Sequence, residues 1–163
     1  MDMIRVLFVC MGNICRSPMA EGLFLKKVRA AELTHAIEVA SAGCGNWHAG
    51  ERPDPRMEQV AAEHQVELPS RAREMRPGDL LEFDYILVMD QANHAHVQRM
   101  LARRRNASPR LHFMREFDPE ARTTPEQQNV LDPYAGGAEG FLEVYRILDR
   151  STEKLLAQLQ QHE

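Results

Sequence analysis

One stretch near the N-terminus, VLFVCMGNICRSPMAEGLF at residues 6–24, restricts the fold more than any other. The apolar run Val6 to Val9, bounded by a glycine-containing loop, predicts a fully buried parallel strand. Ser17-Pro18 then reads as a helix N-cap followed by the favoured first helical position. Cys10 therefore stands where a strand ends, and Arg16 where a helix begins.

Three further segments read as strands: 37–43 (IEVASAG), 85–90 (YILVMD) and 111–117 (LHFMREF). Helical patterns cover about 17–33, 55–65, 91–104 and 139–161. The last carries an apolar stripe at Phe141, Val144, Tyr145, Leu148, Leu155, Leu156 and Leu159. Strands alternating with helices imply an α/β fold: a four-stranded parallel sheet with right-handed crossovers, flanked by helices on both faces. Ligands of such sheets bind beyond the carboxyl ends of the strands, which puts Cys10 at the mouth of the expected site. Residues 118–137, with three prolines and two glycines, predict a long surface loop. The 163 residues suffice for one buried core, and nothing resembles a flexible linker, so a single domain over 1–163 is expected.

A net charge of -4 argues against nucleic acid or an anionic membrane as partner. The densest basic run, ARRRN at 102–106, ends a predicted helix, where cations complement the helix dipole; a partner-docking patch is the rival reading. No apolar segment approaches the roughly 18 residues needed to span a bilayer, and no secretory leader pattern is present, so a cytoplasmic location is expected. Three cysteines, Cys10, Cys15 and Cys44, are too few and oddly numbered for a disulfide framework.

The loop between Cys10 and Arg16 has the length and composition of an anion cradle. Met11, Gly12, Asn13, Ile14 and Cys15 can curl so that successive backbone N–H groups face one concavity, with a helix N-terminus behind them. Gly12 supplies backbone freedom, and Asn13 is among the few non-glycine residues that tolerate a left-handed conformation. Arg16 adds a planar fork for two oxygens of a phosphate. The same groups would lower the Cys10 thiol from about 8.5 into the range of roughly 3.5–7.5 found for activated thiols, with Ser17 donating a further hydrogen bond to sulfur. A thiolate at the floor of such a cradle is a nucleophile aimed at phosphorus. Taken alone, Cys10 would read as an inert buried cysteine, and the Cys10/Cys15 offset with no second Cys/His cluster argues against zinc. The whole string VCMGNICRSP carries the stronger reading.

That string resembles the signature loop of the low-molecular-weight protein tyrosine phosphatases. The resemblance continues through SAGCGNWHAG (41–50), PDPR (53–56), RAR (71–73), YILVMDQAN (85–93) and LDPY (131–134). It implies a flavodoxin-like, doubly wound sheet, Cys10 as nucleophile, Arg16 as phosphate clamp, Asp132 as general acid, and no metal or cofactor. Asp132 also suits the chemistry, because a phenolate leaves slowly unless a loop carboxylic acid protonates it. Asp118-Pro119 is a similar pair in the same loop; the LDPY match selects Asp132.

Trp47 and Tyr134 are the expected substrate walls, able to flank a phenyl ring, and Ile14 adds an apolar contact. Family members acting on phosphoarginine tend to carry threonine at the Ile14 position, so the resemblance points to phosphotyrosine. Asp54 and Asp90 match acidic family positions, although Asp54 can equally cap a helix and Asp90 end a strand. Arg56 pairs with a carboxylate or is a solvated helix charge. Cys15 either packs as a small hydrophobe or resembles the family's backup thiol, which traps an oxidised nucleophile as a disulfide. Cys44 has no assigned role, and His94 and His96 fall on different helix faces. Two departures stand out. Ser70 and Arg71 occupy the region where the family often has a histidine supporting the loop asparagine. Ala135 then Gly136-Gly137 follow the proposed acid where many animal members have a second tyrosine, so a bacterial-type member is implied. Its family substrates are phosphotyrosine proteins, including tyrosine kinases of polysaccharide export. The rival functions are a thiol-dependent arsenate reductase, disfavoured because no cysteine follows Cys44, a non-catalytic phosphate-binding regulator, and a zinc-binding redox sensor.

Overall fold

The computed structural model describes residues 2–104, 106–121, 124 and 128–161. Its elements in chain order are β1 (Ile4–Cys10), α1 (Arg16–Ala30), β2 (Ile37–Gly43), α2 (Pro55–Glu63), α3 (Asp79–Glu82), β3 (Tyr85–Val88), α4 (Gln91–Ala102), β4 (Arg110–Phe113) and α5 (Ala138–Gln161). The four strands form one parallel sheet in the order β2-β1-β3-β4. The chain passes from β1 to β2 on one side and then crosses to β3 on the other. The order therefore reverses between β1 and β3, and a crevice opens at their carboxyl ends. Cys10, paired in register with Gly43, lies at that crevice.

The central place of β1 explains its composition. Residues Val6 to Val9 have no exposed surface, because both sheet faces are covered. On one face Val6 and Phe8 pack with Met19, Leu23 and Phe24 of α1 and with Phe141, Val144 and Leu148 of α5. Phe8 and Phe24 meet edge to face at 5.6 Å. On the other face Leu7 and Val9 pack with Ile86, Val88, Leu80 and Val97. The expected helical stripe of α5 is the face it buries, with Tyr145 half-buried at its margin.

Two elements differ from expectation. The strand anticipated over 111–117 stops at Phe113, and Met114–Phe117 forms a 3-10 turn. Glu116 explains the change: its carboxylate accepts from the Phe113 N–H at 2.5 Å and so closes a local turn. The short α3 was not anticipated; its first residue, Asp79, fixes the preceding turn by accepting from the Arg76 N–H while pairing with Arg73. Of the basic run 102–106, Arg103 and Arg104 follow α4, and Arg105 lies outside the described residues. Within the expected loop 118–137, residues 122–123 and 125–127 also lie outside them.

Asp118 anchors the start of that loop. Its fully buried carboxylate accepts from Arg150 Nε at 2.6 Å, Arg115 Nε at 3.0 Å and the Glu120 N–H at 2.9 Å. Burial alone would raise its pKa, but the Arg150 hydrogen bonds, the Glu120 N–H and the neighbouring charges hold it below the ordinary carboxylate value. A carboxyl lowered on folding contributes stability above its unfolded pKa and loses it as pH falls through the folded value. Asp118→Asn is therefore expected to cost about 2–4 kcal/mol in urea unfolding at neutral pH. The gap to wild type should close as the titration is carried below the ordinary carboxylate value of 3.8.

Candidate active site

The cradle is built by backbone carbonyls that face away from it. Cys10 and Met11 carbonyls accept from the Cys44 N–H at 3.0 and 2.9 Å, and the Ile14 carbonyl accepts from the Asp54 N–H at 2.8 Å. In a planar trans peptide the N–H opposes the C=O, so the N–H groups of Met11, Gly12 and Cys15 turn the other way, into the concavity. Helix α1 begins at Arg16, so Ser17 and Pro18 lie within its first turn. Ser17 is not the cap that the sequence suggested, its hydroxyl being engaged at Cys10. The helix is capped by Cys15 with no side-chain hydrogen bond, and it has no acidic residue in its first turn. Its amino end is left for an anion. Gly43 lets the loop lie directly on the end of β2, since a Cβ there would sit 3.0 Å from the Met11 carbonyl oxygen.

Asn13 makes the turn, with φ of 59°, a left-handed conformation that costs roughly 1–2 kcal/mol for a residue with a Cβ. Its side chain holds it there. Oδ1 accepts from the Arg73 N–H at 3.0 Å, and Nδ2 donates to Ser17 Oγ at 2.8 Å and Ser41 Oγ at 3.0 Å. Because Ser17 Oγ already accepts from Asn13, its own O–H is free to donate to Cys10 Sγ, 3.0 Å away. Ser41 likewise donates onward, to Glu21 Oε1 at 2.6 Å, and Ser70 donates to Glu21 Oε2 at 2.6 Å. Ser70 thus supports Asn13 at one remove, through Glu21 and Ser41.

Arg16 is the other fixed point. Only 1% exposed, it donates to Asp90 Oδ2 at 2.6 Å and to the Val130 carbonyl at 2.9 Å. Its second terminal nitrogen is 3.6 Å from Asp132 Oδ2. Burial opposes its charge, but Cys10, Asp90 and Asp132 outweigh burial and raise its pKa. Asp90 also caps α4 by accepting from the Asn93 N–H at 2.8 Å. Asp132 is exposed on its loop, where its Oδ1 accepts from the Tyr134 N–H at 3.0 Å.

Cys10, Met11, Gly12, Ile14, Cys15, Arg16, Trp47, Asp132 and Tyr134 line one cleft of about 210 Å³. Asn13 and Ser17 are buried beneath it. Trp47 is 65% exposed and lies over Gly45, a rim position rather than core packing. Burial, reinforced by Asp54, Cys10 and Asp132, pushes the Cys15 thiol up, so Cys15 stays protonated at neutral pH. Burial does the same at Cys44, raised to about 12. Among the described residues no group of three His, Cys, Asp or Glu side chains could hold a metal ion. No described helix is long and apolar enough to cross a membrane.

Sequence reasoning missed His48, which lines the cleft beside Gly12 with its Nδ1 3.2 Å from Glu51, and it missed Glu21, Ser41 and Arg73. Glu21 left a signal: it is an acid inside the buried run Met19, Ala20, Leu23 and Phe24. Burial raises its pKa, against the opposing hydrogen bonds of Ser41 and Ser70 and the charge of Arg73. A carboxyl raised on folding binds its proton more tightly when folded, so its contribution to stability falls as pH rises through the folded value. Glu21→Gln keeps an acceptor for the Ser41 hydroxyl and offers the Ser70 oxygen an N–H in place of the carboxylate oxygen to which Ser70 donates. Its stability relative to wild type, read by urea unfolding, is expected to be higher at about pH 8 than at about pH 5.

Residues 5–163 match the family model described as "Low molecular weight phosphotyrosine protein phosphatase". A low molecular weight protein-tyrosine-phosphatase of Streptomyces coelicolor is 40% identical over 153 residues, 94% of this chain and 92% of that one. Among solved structures, the protein tyrosine phosphatase of Entamoeba histolytica, with Hepes in its active site, superposes with a TM-score of 0.87 at 32% identity and 98% coverage of both chains. The Drosophila arginine phosphatase superposes with a TM-score of 0.88 at 30% identity, covering 96% of this chain and 98% of its own. The chain belongs to the low-molecular-weight protein tyrosine phosphatase family.

Proposed function

We propose that the protein hydrolyses phosphotyrosine in proteins through a phosphocysteine intermediate. The observation that carries the reading is the convergence of a buried thiol, a buried guanidinium and a loop carboxyl on one cleft. In the first step Cys10 Sγ attacks phosphorus in line. The S–P bond forms as the P–O bond to the phenol breaks, and Asp132 transfers its proton to the departing oxygen. In the second step a water attacks the phosphocysteine, Asp132 takes the water's proton, and the thiolate leaves with inorganic phosphate as product. Arg16 and the inward N–H groups stabilise the equatorial oxygens in both steps. The Ser17 hydroxyl, directed at sulfur by Asn13, stabilises the thiolate as nucleophile and as leaving group.

The walls support an aromatic substrate. Trp47 and Tyr134 are exposed at the rim with Ile14 below them, an apolar slot for a phenyl ring. The likeness to an arginine phosphatase makes phosphoarginine the competing substrate, and Ile14 is the residue that argues against it.

Wild type is expected to hydrolyse para-nitrophenyl phosphate and a phosphotyrosine peptide in the presence of a chelator. Cys10→Ser should abolish turnover, and Asp132→Ala should lower kcat by about 10²–10⁴-fold. Hydrolysis of a phosphoarginine peptide should be the slower reaction. Phosphate binding without turnover would replace the enzyme reading with a phosphate-binding regulator.

A further inference from the structure

We infer that Arg56 is a positioning residue that holds the Asp132 loop against the phosphate cradle. The inference rests on the reading of Asp132 as the acid, and it assigns to Arg56 the task of presenting that acid.

Arg56 occupies the first turn of α2, where a cation faces the positive end of the helix dipole. Local electrostatics disfavour it there, so something else must account for its placement. Asp54 offsets the cost locally. It caps α2 by accepting from the Arg56 N–H at 2.8 Å, and its carboxylate accepts from Arg56 Nε at 3.1 Å and Nη2 at 2.9 Å. The Arg56 hydrogen bonds hold the Asp54 carboxyl below its ordinary value and raise the pKa of Arg56 in turn.

The fork reaches beyond Asp54. Nη2 donates to the Tyr134 carbonyl at 2.9 Å, and Nη1 approaches the Gly136 carbonyl at 3.4 Å. The guanidinium also lies 4.5 Å from the Phe141 ring centroid and 5.6 Å from that of Tyr134. Apart from Pro133, residues 131–137 are exposed, so few packing contacts fix them and these bonds weigh heavily.

The contacts form one continuous linkage. The Ile14 carbonyl of the cradle accepts from the Asp54 N–H, and the Asp54 carboxylate orients Arg56. Arg56 fixes the Tyr134 carbonyl, while the Tyr134 N–H holds Asp132 Oδ1. The rotamer of the acid is thereby referred back to the loop that would hold the phosphate. Only a planar, multidentate cation can grip Asp54 and Tyr134 together; a lysine, as a point charge, cannot keep both directions.

The discriminating quantity is the dependence of kcat/KM on the leaving group, which reports the first chemical step. Dinitrophenolate leaves without a proton, whereas phenolate needs one. Asp132→Ala should therefore lose far more on phenyl phosphate than on dinitrophenyl phosphate. Arg56→Ala should show the same asymmetry in smaller degree, about tenfold on phenyl phosphate and under about twofold on dinitrophenyl phosphate. Arg56→Lys should resemble Arg56→Ala, and Arg56→Ala placed on Asp132→Ala should add no further asymmetry. Arg56 is a half-exposed side chain, and Asp54→Asn provides a second variant with the same expected asymmetry. Symmetric losses in Asp132→Ala would overturn the assignment of the acid itself. Asymmetry in Asp132→Ala, with an Arg56→Ala series parallel to wild type, would overturn the role of Arg56 and leave the acid in place.

Discussion

A guanidinium has been taken almost wholly out of water at the start of α1, and much of the surrounding architecture answers that fact. Arg16 is the largest fully buried side chain among the described residues, and a buried cation is tolerated only when its donors meet acceptors. Those acceptors come from distant parts of the chain: Asp90 after β3 and the carbonyl of Val130. Val130 in turn donates to the Met89 carbonyl at 2.6 Å, so the segment leading to Asp132 is drawn onto the end of β3. Burying one charge thus assembles the site from pieces more than 100 positions apart in sequence.

A second constraint is conformational. The left-handed turn at Asn13 would relax unless its side chain were held, and it is held by three hydrogen bonds, from the Arg73 N–H and to the hydroxyls of Ser17 and Ser41. Asn13 cannot accept through its Nδ2, so Ser17 and Ser41 must each pass their own hydrogen onward, one to sulfur and one to Glu21. The direction of every bond in the relay follows from the one N–H of Arg73 that orients the amide. Precision at the thiol is supplied from behind the loop, by residues that never face the cleft.

These two constraints explain what the sequence disclosed and what it concealed. The strand-loop-helix of residues 4–30 was legible because its determinants are local, an apolar run, a turn former and a proline in the first helical turn, although the helix starts at Arg16, two residues before the proline. Asp54 and Asp90 were ambiguous because each does two things, capping a helix and pairing with an arginine; for Asp90 the second depends on the fold, since Arg16 lies 74 positions away, whereas Arg56 is two residues from Asp54. Glu21 and Ser41 were invisible as partners, since they lie on different elements and meet only when α1 packs beneath β2. Ser70 could be placed only with Glu21 in view, its hydroxyl reaching a carboxylate instead of the loop asparagine. The end of β4 was misjudged because one side chain, Glu116, diverts a backbone whose apolar pattern would otherwise continue as strand.

The cleft has a hard floor and a soft rim. Asn13, Arg16 and Ser17 lie at 2% exposure or less and are held by buried hydrogen bonds, whereas Trp47 and Tyr134 stand 50–65% in solvent. Surface positions of the second kind tolerate replacement within about 0.5 kcal/mol, while the first kind do not. Preference for the groups flanking a phosphate can consequently drift over generations without endangering either the fold or the reaction. The floor binds each descendant to the same chemistry, and the rim leaves open which molecules receive it.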